Sequence, residues 1–146
     1  MKHTNSDPLA VFNQLYKEFD DIYHQYAKRH GISSAALWLL YSLYEGGSYT
    51  QREFCSEWHY PPQTINSALK NLEKQGFLTL DAIAGNQKNK QIVLTNRGQD
   101  VVEQVIAPLI AAERGAFAEL RPEEREMLLS LTGNYIALLQ SKVNEI

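Results

Sequence analysis

Leu9, Phe12, Tyr16, Phe19, Tyr23 and Tyr26 recur at alternating spacings of three and four residues. That period places them on one face of an α-helix, so the stripe predicts one long helix ending at Gly31. Ser33 or Ser34 can cap a second helix running through Ala35 to Tyr44, which Gly46 and Gly47 stop. TQRE at 50–53 has the form of a capping box, with hydroxyl and carboxylate each reaching the other's backbone N–H. It starts a short helix through Trp58. Pro61 and Pro62 open the next helix and Gly76 closes it. Leu78, Leu80 and Ala82 then alternate with polar residues, as do Ile92 and Leu94, which predicts two short strands. Between them AGNQKNK, at 84–90, reads as a polar loop. Thr95 caps a long helix to about Leu120, kinked at Pro108. Pro122, Glu123 and Glu124 begin the last helix, whose apolar stripe is Leu128, Leu131, Tyr135, Leu138 and Leu139. The fold class is therefore mainly α with a small β-wing (α+β). A helix–turn–helix and a two-stranded wing occupy its middle, between long terminal helices.

The helix inside PPQTINSALKNLEKQGFL, at 61–78, has two unlike faces. At about 100° per residue, Ile65, Ala68, Leu69 and Leu72 form a stripe to be buried. Gln63, Asn66, Ser67, Lys70 and Lys74 fall within about 100° of one another on the other side. That side contains no acid, and Glu73 lies at its edge. A solvated helix face usually mixes Glu with Lys, because opposite signs three or four residues apart attract. A face meant for the major groove of DNA excludes carboxylates, which phosphates repel. It keeps amides for base edges and lysines for phosphates. Taken alone, the face fits either reading. The short capped helix before it and the basic segment after it favour DNA.

Composition bounds the rest. The 146 residues suffice for one domain with a real core, and 44% hydrophobic with 21% charged residues is ordinary for a globular protein. No apolar run is long enough to cross a membrane, and the first residues lack an apolar stretch of signal-peptide length. A single cysteine excludes an internal disulfide framework, and with the missing signal it points to a cytoplasmic protein. The net charge of −3 argues mildly against nucleic acid, but the charge is unevenly spread. Residues 48–98 hold six Lys/Arg against four Asp/Glu, a net of +2, while the remainder holds eight against thirteen, a net of −5. The positive charge is concentrated around the predicted helix–turn–helix and wing.

These segments resemble the MarR family of transcriptional regulators over essentially the whole chain. The resemblance is carried by 50–58 before the turn, by PPQTINSALKNLEKQGFL and by KQIVLTNRG at 90–98. Its signatures are L-E-K-x-G at 72–76 and L-T-x-x-G at 94–98. It implies one MarR-like domain over 1–146, with a winged helix–turn–helix DNA-binding lobe at 33–98. The helices at 8–31 and 99–146 would then interleave with those of a second copy in a homodimer. It also implies a sequence-specific DNA-binding regulator, a repressor, acting on a pseudo-palindromic operator of double-stranded DNA. Arg52, Gln63, Thr64, Asn66, Ser67, Lys70, Lys74, Asn86, Lys88 and Lys90 are the expected DNA contacts. Two positions depart from the family pattern. Where family wings carry Asp-x-Arg, this chain has Asn86 and Lys88, and lysine fits a narrow minor groove less well than arginine's planar fork. The family's recognition-helix arginine aligns with Ser67, which leaves Gln63, Thr64 and Asn66 to read an A·T-leaning site.

Other chemistry is sparse. Cys55 has no neighbouring His or Lys and reads as a small hydrophobe rather than a redox sensor. His3, His24, His30 and His59 lack ligand spacing, so neither a metal nor a cofactor is expected. No G-x-S-x-G, phosphate loop or H-E-x-x-H occurs, which argues against an enzyme. The aromatic load of the first two helices has two readings. Tyr16, Tyr23, Tyr26, Trp38, Tyr41 and Tyr44 fit a dimer core. Tyr23 and Trp38 also fit the lining of a pocket for a small aromatic or anionic effector, such as relatives bind. The competing functional class is a winged-helix protein-interaction module without DNA binding. The negative net charge and the missing wing arginine would permit it.

Overall fold

The computed structural model describes residues 7–46 and 49–146, with the side chains of 86–88 outside that description. The expectations placed on His3, on Gly47 and on the side chains of Asn86 and Lys88 therefore lie outside the described residues. The chain forms two compact units that divide between Ala107 and Pro108.

The first unit begins with α1 (Pro8–Arg29), where Asp7 Oδ1 accepts from the Leu9 N–H at 3.0 Å and Pro8 occupies the first turn. Helix α2 (Ser34–Tyr44) is capped by Ser33, whose Oγ accepts from Ala36 N–H at 3.1 Å. It is nearly all apolar and supplies much of the core, with Leu37, Leu39 and Leu40 fully buried. Helix α3 (Gln51–Trp58) starts at Thr50, as TQRE predicts. The box is closed differently, however. Thr50 Oγ1 accepts from the Glu53 N–H at 3.2 Å, and its own proton goes to Glu53 Oε1 at 3.0 Å rather than leaving that carboxylate to a backbone N–H. The Thr50 N–H sits in a strand, so the carboxylate takes the nearest free donor. Helix α4 (Pro62–Lys74) follows a turn in which His59 adopts the left-handed region at φ 56°.

The wing holds two departures from the sequence reading. First, it is three-stranded. β1 (Tyr49–Thr50) pairs antiparallel with β3 (Asn86–Leu94), which pairs with β2 (Leu78–Ile83), in the order β1-β3-β2. Two residues are too few to show an alternation, so β1 left no periodic signal. Second, most of the expected polar loop is strand. Only Ala84 and Gly85 form the turn, and β3 begins at Asn86, with a register shift between Ala82 and Ile83. Asp81 and Ala82, consecutive in β2 and so on opposite faces, are both exposed, and a strand end of that kind carries no apolar alternation.

The two glycine signatures turn out to be halves of one junction. Gly76, at φ 81°, ends α4 with its N–H on Glu73 O at 2.9 Å and the Phe77 N–H on Leu72 O at 3.0 Å. That is a Schellman ending, which favours a residue without a side chain in the left-handed position. Thr95 Oγ1 donates to Gly76 O at 2.6 Å and accepts from the Gly98 N–H at 3.0 Å, while Thr95 N–H donates to Phe77 O at 3.1 Å. Gly98 is buried, and a Cβ on it would lie 1.9 Å from Phe77 O. The end of α4 and the start of α5 (Asn96–Val101) are thereby locked together, which fixes where the wing leaves the helix.

Where a kink at Pro108 is predicted, the helix leaves regular α geometry before the proline is reached. Residues Val102–Ile106 form a π turn, in which the Ala107 N–H reaches Val102 O, before α6 (Ala107–Glu119) resumes. Proline has no N–H for the carbonyl four residues back, and a wider turn accommodates that loss. Tyr26 of α1 donates its hydroxyl to Val105 O at 2.5 Å, satisfying one carbonyl of the widened turn. Burial pushes that phenol's pKa up, with the nearby Arg29 opposing it, so the hydroxyl keeps its proton.

The second unit holds the remainder of α6 and α7 (Pro122–Asn144). Arg125 donates to Leu120 O at 2.8 Å and Ala118 O at 3.2 Å, satisfying carbonyls at the end of α6. Glu124 accepts from the Arg121 backbone and side chain, which hold its carboxyl below the usual range. No residue of α7 is buried, and Leu128, Leu131, Leu138 and Leu139 of the predicted stripe are all exposed in the single chain.

Candidate nucleic-acid interface

Helix α4 separates its two faces as the wheel predicts. Ile65, Leu69 and Leu72 are at most 1% exposed and Ala68 is buried, whereas Gln63, Thr64, Asn66, Ser67, Lys70 and Lys74 are all exposed. Its first turn contains no acid, and no side chain caps its N-terminus, where Pro61 stands. The positive end of the helix dipole is thus left for an outside acceptor.

Arg52 is exposed in the first turn of α3, and Lys90 is exposed on β3, opposite Ala82 of β2. The structure joins α3 to the exposed face of α4 through a residue that the sequence reading passed over. Gln51 Nε2 donates to Asn66 Oδ1. An amide that opens a short helix, next to a capping threonine, carries no signal in one sequence, so Gln51 was legible only as part of TQRE.

Tyr23 and Trp38 are brought together, their ring centroids 4.8 Å apart. The structure extends this pair into a chain of rings. Trp38 stacks on Trp58 of α3 at 4.8 Å and 22°, and Tyr41 lies 5.4 Å from Trp38. Trp58 Nε1 donates to the buried Ser42 Oγ at 2.5 Å, which gives its polar edge a partner. No periodicity links position 58 to position 38, so this part of the cluster could not be read from spacing. The rings run from α1 through α2 to α3, and Tyr23, Trp38, Tyr41 and Trp58 are each only half-buried. Cys55 is half-buried beside them in sequence, and burial pushes its thiol pKa up, opposite to what a reactive thiolate requires.

Residues 30–86 match the model of the MarR family. The HTH-type transcriptional regulator YwoH of Bacillus subtilis (strain 168) is 23% identical over 126 residues, covering 86% of this chain and 91% of that protein. The S. aureus MepR–DNA complex superposes with a TM-score of 0.73 at 21% identity, covering 94% of this chain and 99% of that one. Bordetella bronchiseptica BpsR, whose DNA binding is regulated by 6-hydroxynicotinic acid, superposes with a TM-score of 0.70 at 16% identity, covering 92% and 96%.

Proposed function

We propose that this protein is a MarR-type homodimeric DNA-binding repressor of a pseudo-palindromic operator, a reading supported by the match of residues 30–86 to the MarR family and by the likeness to YwoH. The observation that carries the reading is the acid-free, exposed face of α4, with the exposed cations Arg52 on α3 before it in the chain and Lys90 on β3 after it. Amides at Gln63 and Asn66 can each bond an adenine edge in bidentate fashion, and Lys70 and Lys74 suit phosphates. Lys88 and Asn86, at the start of β3, would extend the contact along the wing.

Dimerisation follows from the apolar residues that one chain leaves in water. In α1 these include Phe12, Tyr16, Phe19 and Ile22, all between 48% and 65% exposed. The unburied stripe of α7 is a second such face, and contiguous apolar faces of this kind mark interaction surfaces in soluble proteins. A two-fold pair would present two recognition helices to half-sites about one helical turn apart. The helices at 8–31 and 99–146 serve as the dimerising parts in this reading, and 33–98 as the DNA lobe.

The base-reading role is tested with Gln63→Ala. It is expected to reduce discrimination between operator and scrambled duplex by about 1–3 kcal/mol. A wild-type ratio in the variant would show that this face does not read bases.

Release by a small aromatic or anionic effector rests on the ring chain from Tyr23 to Trp58. A planar ligand inserted against Tyr23 and Trp38 would change the seat of α1 on α2 and α3. About tenfold weaker operator binding requires only about 1.4 kcal/mol of differential affinity between the two conformations. Titration with hydroxylated aromatic acids is expected to quench tryptophan fluorescence and release operator over the same concentration range. Quenching with unchanged operator affinity would contradict the switch.

A further inference from the structure

Asn66 stands near the middle of the exposed face of α4, and its amide could in principle be turned either way. One orientation places Oδ1 on the α3 side of the amide and Nδ2 on the other, and the second reverses them. In the structure Gln51 Nε2 donates to Asn66 Oδ1. Gln51 is the first residue of α3, and that helix is anchored by Thr50, which is buried and bonded twice to Glu53. Gln51 thus extends from a helix whose start is fixed and bonds the Asn66 amide across the turn.

We propose that Gln51 is a positioning residue for sequence recognition, setting the orientation of the Asn66 amide before DNA arrives. The inference rests on the DNA-binding reading above and deepens it. An amide oxygen has two lone pairs and an amide nitrogen two protons. With one lone pair of Oδ1 taken by Gln51, the side chain still has a second lone pair and both Nδ2 protons. Those are what an adenine edge needs, since its N7 accepts and its N6 amino group donates. A reversed amide would place donor against donor and acceptor against acceptor at that edge. In the free protein the pair is bathed in water and contributes little to stability. Against DNA, water is displaced, and a donor that holds the correct orientation spares the cost of ordering the side chain. The effect therefore falls on discrimination rather than on folding.

Three variants of the full-length chain test this: Gln51→Met, which keeps length but cannot donate, Asn66→Ala, and the two combined. The operator is the duplex that the wild-type protein itself enriches from a random-sequence pool. The readout is its preference for that duplex over the same duplex with single base-pair changes. Gln51→Met is expected to lower the preference at one base pair by about tenfold with an unchanged melting temperature. In the Asn66→Ala background the same change is expected to do nothing further, because there is no amide left to orient. Gln51→Glu supplies a second reading: a carboxylate only accepts, so it would turn Nδ2 towards α3 and change which base is preferred at that pair. Equal effects of Gln51→Met with and without Asn66, on a wild-type protein that selects a sequence, would overturn this inference alone. A wild-type protein that enriches no sequence would overturn the DNA reading, and this inference with it.

Discussion

Gly98→Ala is expected to cost about 3 kcal/mol or more, near the upper end of overpacking substitutions. The added Cβ would lie 1.9 Å from Phe77 O and 3.0 Å from Leu94 Cδ2. The first neighbour is backbone and cannot rotate away. It is also the acceptor for Thr95 N–H, so moving it loosens the Gly76–Thr95–Gly98 junction as a whole. A thermal melt is expected to fall by about 10 °C for a chain of this size. Gly85→Ala makes the comparison specific. Its φ is 81°, yet nothing lies within 4 Å of the added Cβ, so only the backbone conformation is strained, at about 1 kcal/mol. If the two variants melt together, the close approach of Phe77 to Gly98 is not what holds the wing to α4.

The same junction shows what a sequence does and does not disclose. L-E-K-x-G and L-T-x-x-G were visible as motifs, and Gly76 was legible as a helix end. That Thr95 bonds Gly76 O, and that Gly98 is small because Phe77 O occupies its side-chain space, required the two segments to be seen in contact. The helices were legible because 3.6-residue periodicity and local caps are written in neighbouring residues. The wing was less so. β1 is two residues long, and Asn86–Leu94 has no apolar residue before Ile92, so neither shows an alternation. The candidate interface divides in the same way. The exposed face of α4 could be drawn on a wheel, whereas Gln51 and Trp58 join their partners across 15 and 20 positions of chain and leave no local mark.

Charging the apolar stripe of α7 is expected to have the largest effect on DNA binding. Leu131 is 59% exposed in the single chain, so Leu131→Glu leaves the fold of one chain intact, and glutamate keeps a good helix propensity. In a homodimer the same carboxylate would be buried against apolar neighbours without a partner, which is strongly unfavourable. Sedimentation is expected to show a dimer for the wild-type chain and a monomer for the variant at the same micromolar concentration. Operator affinity is expected to fall by about 10²–10⁴-fold, because the second half-site is no longer held at high effective concentration. Leu138→Glu, two stripe positions further along and 64% exposed, should behave alike. A monomeric wild-type chain, or a Leu131→Glu protein that still dimerises and binds as before, would remove the dimer from this account.

The chain is acidic overall, at −3, so its affinity for DNA has to come from a local arrangement of cations. That makes the salt dependence of binding to the DNA upstream of its own gene the most direct measurement. Arg52, Lys70, Lys74 and Lys90 are exposed in each protomer. A dimer using them on phosphates releases about one counterion at each, so log K is predicted to fall against log salt concentration with a slope steeper than about −5. Lys90→Ala is predicted to make that slope shallower by about two in the dimer, one for each wing. Saturable binding with a slope near zero, unchanged in Lys90→Ala, would contradict the DNA reading and leave a winged helix that binds protein instead.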